Sequence, residues 1–155
     1  IDAAIQAYIR REYGLAIGER TAEEIKWTIG SAAPMPDEGR AEVKGRELMS
    51  GLPKTVVLTP LEIRRAIEEP VTAMVESVVQ CLAQAPPELA QDVLAHGICL
   101  VGGGSLLSGL DVRIAEEVGV PVVPVETPME CVVLGAGHCI ESFEAMRVMF
   151  MEGRR

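Results

Sequence analysis

Apolar residues recur at helical spacing from the start of the chain: Ile1, Ile5, Tyr8 and Ile9 share one face. Arg10 and Arg11 suit the negative end of that helix, and Gly14 supplies a left-handed stop. Thr21 followed by Glu24 has the form of a capping box, predicting a second helix with Ile25 and Ile29 on one face and an end near Gly30. Residues 32–39 read as a loop because they hold Pro34, Pro36 and Asp37. The pattern then becomes β-prone over 41–48 and 54–58, with Gly51 and Pro53 between, which predicts a hairpin.

Thr59-Pro60-Leu61-Glu62 announces another helix, with proline at its first position and glutamate three residues after the cap. Pro70 is expected to break or kink it, and Val71, Met74, Val75, Val78 and Leu82 continue as an amphipathic helix. Pro86-Pro87-Glu88 restarts a helix that ends at Gly97. Residues 98–101 form a short apolar strand, 110–118 a helix closed by Gly119, and 120–125 a second strand whose Pro121 and Pro124 favour a sheet edge. Thr127-Pro128-Met129-Glu130 opens a helix through Ile140 in the manner of Thr59. Strand, helix, strand, helix implies a parallel pair with crossovers, so the second half is α/β and the first half an inserted α+β lobe.

With 155 residues, 48% of them hydrophobic, the chain can fill one core, or one core and a small lobe. Aromatics are only 3%, so that core is aliphatic. A net charge of -9 repels phosphate backbones, and few rings exist for bases of a nucleic acid to stack on, so no nucleic-acid partner is expected. Cys81, Cys99, Cys131 and Cys139 form no CxxC pair, which points away from zinc and disulfides and toward a reducing cytoplasm. No apolar run approaches the ~18 residues of a membrane span. The first residue is Ile1 rather than methionine, which suggests processing or truncation.

The candidate chemistry begins with the run from Ile98 through Gly102, Gly103 and Gly104 to Leu107. Bare glycines let a ligand approach the main chain, and the N–H groups of a following helix attract negative charge. Each glycine costs roughly 0.5–1 kcal/mol relative to alanine, so a nucleotide contact or a tight strand-to-helix turn must justify the run. Leu107 stands where the dinucleotide pattern needs its third glycine, and no Gly-Lys-Ser/Thr ending makes a P-loop. On the second helix Glu23 and Lys26 are neighbours at i,i+3, which suits ribose hydroxyls and a purine but equally suits a solvated helix face. His96 and His138 have no partner that would suggest a catalytic triad. Gly135-Ala136-Gly137 within a helix is expected to reflect close packing.

Taken in order, residues 18–26 (GERTAEEIK), 51–56 (GLPKTV), 86–90 (PPELA) and 102–107 (GGGSLL) resemble the MreB family of bacterial actin homologues, from Ile1 to about residue 140. The resemblance implies an actin-like, ribonuclease H-like ATPase fold in which the Glu-x-Ile-Lys helix and the triple-glycine loop face each other across an adenosine pocket. It assigns nucleotide binding to Glu23, Glu24, Ile25 and Lys26 with Gly102, Gly103, Gly104, Ser105 and Leu106. Val101, Ser105 and Trp27 depart from the usual family residues. The family's phosphate loops and hydrolytic carboxylate lie upstream of the residue matching Ile1, so the chain resembles the second lobe of such a protein.

The implied division is a connecting helix over 1–14, a small α+β subdomain over 15–70, the rest of the α/β nucleotide-binding subdomain over 71–140 and a tail over 141–155. For the whole family the resemblance implies ATP binding and hydrolysis, with magnesium held through the missing loops. It also implies cytoplasmic filaments on the inner membrane face, membrane contact through the other half, and guidance of the cell-wall elongation machinery and cell shape. Two consequences are expected for this chain: no ATPase activity of its own, and one bare edge on the strand at 98–101. The alternative is a non-catalytic actin-like module that docks on filaments without nucleotide, favoured by the apolar tail Phe143, Met146, Met149, Phe150 and Met151. That tail equally suits a helix packing on the other lobe. A sugar kinase or heat-shock chaperone of the same fold fits the 51–53 turn less well.

Overall fold

The computed structural model describes residues 1–34 and 39–152; the expected loop residues Met35 to Glu38 and the last three residues lie outside them. Helix α1 (Asp2–Tyr13) buries Ile5 and Ile9 and stops at Gly14, whose φ of 60° is the left-handed stop foreseen. A strand the pattern did not announce follows. β1 (Leu15–Ala16) is too short for alternation to register, yet Leu15 is fully buried and the strand pairs antiparallel with β2.

Helix α2 (Glu19–Ile29) starts two residues ahead of Thr21, with extended Gly18 as its cap and no capping side chain. The expected Thr21–Glu24 box is therefore not formed. Ala22, Ile25 and Ile29 are all buried, and an earlier start places Ala22 on the same helical stripe as the two isoleucines. The hairpin is as expected: β2 (Ala41–Glu47) and β3 (Pro53–Leu58) pair antiparallel, with buried Val43 opposite buried Val56.

Helix α3 (Pro60–Gln84) opens on a complete capping box, Thr59 N–H donating to Glu62 Oε2 at 2.9 Å and Glu62 N–H to Thr59 Oγ1 at 3.4 Å. It runs through Pro70 as one helix, so the expected break is not found. A proline inside a helix costs about 3 kcal/mol. Ile63, Ile67, Val71 and Val75 are buried along one stripe, and each contributes roughly 1.5–3 kcal/mol, so packing outweighs the lost backbone bond.

Helix α4 (Pro87–His96) buries nothing fully and ends at Gly97. β4 (Ile98–Cys99) then runs parallel to β5 (Val122–Val123), with Ile98 opposite Val122 and helix α5 (Leu110–Val118) as the crossover. Both strands are shorter than the expected 98–101 and 120–125. Pro121 and Pro124 flank β5 and lack the N–H a longer ladder needs. Among the described residues, β4 is paired on one side only.

Helices α6 (Cys131–Glu141) and α7 (Phe143–Glu152) close the chain. Residues 127–130 form a turn rather than the expected helix start. The Pro128 carbonyl accepts from Gly102 N–H at 2.6 Å, which ties the segment to the glycine run instead of releasing that carbonyl to a helix. Among the described residues the close packing expected at Gly135 and Gly137 is not found, since an added Cβ at either would meet none of them within 4 Å. Val132, Val133, Leu134 and Ile140 on the same helix are exposed. Phe143 is exposed and Met146 half-buried, while the side chains of Met149, Phe150 and Met151 lie outside the described set. No described helix is long and apolar enough to cross a membrane.

One aliphatic core joins α1, β1, α2, the hairpin, α3 and α5, running from Ile5 and Ile9 through Ile25, Leu58, Ile63, Ile67 and Val71 to Leu107, Leu110 and Ile114. Tyr8 and Tyr13 stand only at its margin, as the scarcity of aromatics required.

Candidate functional site

The end of α2 is fastened to the chain just beyond the glycine run. Ala32 N–H donates to the Ser108 carbonyl at 2.8 Å, and Ser31 and Ser108 form a parallel bridge. Buried Ser31 places its hydroxyl 2.5 Å from the Ala33 carbonyl and 3.2 Å from that of Ser108, and can donate to either. Gly109 makes this approach possible: its φ is +73°, and an added Cβ would lie 2.8 Å from Ala33 Cβ and 2.9 Å from Ala33 N. Two segments some eighty positions apart in sequence are thus held side by side.

Between them lies a cleft of about 210 Å³. Ile1, Glu23, Lys26 and Trp27 line it from α2 and the start of α1; Gly103, Gly104, Leu106, Leu107 and Ser108 line it from the glycine run, and Met129 from the turn before α6. Of the residues singled out by sequence, Glu23, Lys26, Gly103, Gly104 and Leu106 are brought together here. Glu24, Ile25, Gly102 and Ser105 are not part of this lining. Glu24 pairs with Arg20 at 3.2 Å on the exposed surface, and Ile25, 3% exposed, belongs to the core. Ser105 donates to the Gly102 carbonyl at 2.7 Å and faces a second cavity of about 280 Å³ beside Leu100, Val122 and Pro128.

The glycine run does not lead directly into an α-helix, as its pattern suggested. Residues Gly103–Leu106 form one 3-10 turn, with Ser105 N–H donating to Gly102 and Leu107 N–H to Gly104, both at 3.2 Å. Gly102 alone of the three has a positive φ, 82°. Gly103 and Gly104 adopt a backbone any residue tolerates, and a Cβ on either would meet nothing within 4 Å. The turn itself therefore does not require glycine at 103 or 104.

Lys26 reaches across to α1, its Nζ lying 3.0 Å from Asp2 Oδ1 and 3.1 Å from Oδ2. The contact to Oδ1 is within ion-pair distance but is not an aligned hydrogen bond. Its sequence neighbour Glu23 has no ion pair or hydrogen bond among the described residues and offers a free carboxylate. At the other end of α1, the Tyr13 hydroxyl donates to the Glu62 carboxylate. This bond, with burial and the charge of Glu62, pushes the Tyr13 phenol up to about 12. Burial alone would raise Glu62, but hydrogen bonds from Tyr13 and Thr59 outweigh it and hold the carboxyl below its usual range. The pair fixes α1 to α3.

Trp27 was the residue most within reach of the sequence, since it stands four after Glu23 and therefore on the same face. Ser108 and Met129 arrive through tertiary structure and carry no local signal. His96 Nδ1 lies 3.0 Å from the Asp92 carbonyl and His138 3.6 Å from the Glu141 carboxylate, both away from the cleft lining. All four cysteines are free, and no group of metal-ligating side chains is assembled among the described residues.

The family model described as MreB/Mbl protein matches residues 1–148. The chain belongs to the MreB/Mbl family. It is 47% identical over 143 residues to the cell shape-determining protein MreB of Escherichia coli K12, covering 92% of this chain and 41% of that protein. To the cell shape-determining protein Mbl of Bacillus subtilis 168 it is 41% identical over 145 residues, covering 94% and 44%. The crystal structure of MreB5 of Spiroplasma citri bound to ADP superposes with a TM-score of 0.89 at 32% identity, over 96% of this chain and 45% of that one. The AMPPNP-bound structure of the same protein gives 0.88 at 33% identity, over 93% and 43%. The MamK double helical filament, at 22% identity and a TM-score of 0.66 over 83% and 39%, shares the fold. The actin-like α/β fold expected from the sequence is the one found, and this MreB/Mbl chain spans about two fifths of the length of the curated relatives it matches.

Proposed function

We propose that this MreB/Mbl chain supplies the adenosine-holding side of an ATP-binding, filament-forming protein that determines cell shape. The observation that carries the reading is the single cleft that Glu23 and Lys26 share with Gly103 and Gly104. A free carboxylate at Glu23 suits ribose hydroxyls, the Lys26 ammonium suits polar atoms of the nucleoside, and the two bare glycines leave room for a ligand against the main chain. At about 210 Å³ the cleft is below the ~300–1,000 Å³ of a site that encloses a whole drug-sized ligand, which fits one that takes the nucleoside and leaves the phosphates to other groups. Magnesium and the hydrolytic step are assigned to those other groups.

Self-assembly, a cytoplasmic position along the inner membrane and contact with the elongation machinery belong to the same proposal and rest on family membership. The test is calorimetric titration of the chain and of Lys26→Ala with ATP and ADP, beside a melting curve for each. Binding by the chain, weakened ~10-fold in the variant by loss of a charge-assisted contact, supports the reading. An absence of binding heat in a folded sample overturns it and favours a module that docks on filaments without nucleotide.

A further inference from the structure

We propose that Trp27 is the platform on which the base of the ligand stacks, an inference that rests on the nucleoside reading of the cleft. It is the only tryptophan in the chain and remains 61% exposed on α2, although among the described residues no aromatic side chain is buried in the core. An indole so placed leaves unused most of the burial it could contribute to folding, and it makes no hydrogen bond among the described residues. It lines the same cleft as Gly103 and Gly104, and its outer side continues into a shallow groove bounded by Arg20 and Thr28.

The chemistry of the lining favours a base over a sugar or phosphate at this position. The two glycines offer no side chain, and apart from Glu23, Lys26 and Ser108 the side chains that share the cleft with the indole are apolar: Ile1, Leu106, Leu107 and Met129. Met129, 65% exposed, brings a polarizable thioether into the same cleft, and sulfur packs well against ring systems. A flat, π-faced purine is the ligand part that such a surface takes, while Glu23, one turn earlier on the helix, is left for the ribose.

Because Trp27 is the sole indole, its fluorescence reads the contact without a label. The full chain is titrated with adenosine, ADP and ribose 5-phosphate, and Trp27→Ala and Trp27→Phe are titrated calorimetrically with ADP. Saturable quenching by adenosine and ADP but not by ribose 5-phosphate is expected. Trp27→Ala loses ~10-fold in ADP affinity, as base–aromatic stacking implies, Trp27→Phe recovers most of it, and the melting temperatures of both match the parent. If the parent binds ADP while Trp27→Ala binds equally well, or if ribose 5-phosphate quenches as strongly as adenosine, the stacking role is wrong and the nucleoside reading stands. If the parent binds no ADP at all, the nucleoside reading fails first and this inference with it.

Discussion

Replacing Gly103 by alanine separates a glycine kept for its backbone from one kept for the space before it. Gly103 lies in the 3-10 turn without a positive φ, and its added Cβ meets nothing within 4 Å. The substitution therefore strains nothing and restricts the unfolded chain, which stabilises by ~0.4–1 kcal/mol. Gly103 lines the cleft of about 210 Å³, so on the proposed nucleoside reading the same methyl crowds the ligand, a loss of roughly 1–3 kcal/mol in binding, or ~5–150-fold in affinity. Gly109→Ala is the contrast: a φ of +73° costs about 1–2 kcal/mol for any L side chain, and the approach to Ala33 N at 2.9 Å adds about 1–3 kcal/mol. Urea unfolding at unchanged m-value and ADP calorimetry on both variants give the comparison. A Gly103→Ala protein that binds ADP like the parent, or that unfolds as early as Gly109→Ala, refutes the argument.

Tyr13→Phe should lower stability by about 1–2 kcal/mol through loss of a partly exposed hydrogen bond to an ionised carboxylate, read as a shift of the urea midpoint. Tyr13, raised above its ordinary value, contributes stability that is present below about pH 10 and lost as pH climbs through about 12; the variant should lack that alkaline decline. Glu62 is lowered, so its contribution is present above the ordinary carboxylate range and lost as acid brings the pH down through its depressed value; replacing it with glutamine should flatten the acid limb of the same curve. Amide exchange at Ile98 and Cys99 in a monomeric sample should be fast, because β4 is a two-residue strand paired on one side, and slow exchange there contradicts this. Phosphate release from ATP by the purified chain should not exceed a protein-free control, and steady turnover would move hydrolytic groups into these residues.

Two nearly identical signals show how far local sequence reaches. Thr59-Pro60-Leu61-Glu62 and Thr127-Pro128-Met129-Glu130 share the same capping pattern, but only the first begins a helix. The difference is tertiary: the Pro128 carbonyl is engaged by Gly102, while Thr59 and Glu62 satisfy each other. Pro70 teaches the converse, since a strong local breaker is overridden by a buried stripe that periodicity already displayed. In the cleft, Glu23 and Lys26 were legible as a helical pair and the glycines as a bare run, but only family resemblance joined them. Ser31, Ser108 and Gly109, which hold the two walls together, gave no sign, because a backbone bridge between distant segments leaves no periodic trace. The expectation for Gly135 and Gly137 failed because an unusual composition states a permission and not the neighbour that uses it.

The central claim is that α2 and the glycine turn are two walls of one nucleoside cleft, and amide chemical-shift mapping of the isotope-labelled chain during an ADP titration tests it most directly. The account predicts that backbone amides of Glu23, Lys26 and Trp27 and those of Gly103, Gly104 and Ser108 shift together, saturating with one affinity. Shifts confined to one wall, or centred on the cavity beside Val122 and Pro128, would contradict it.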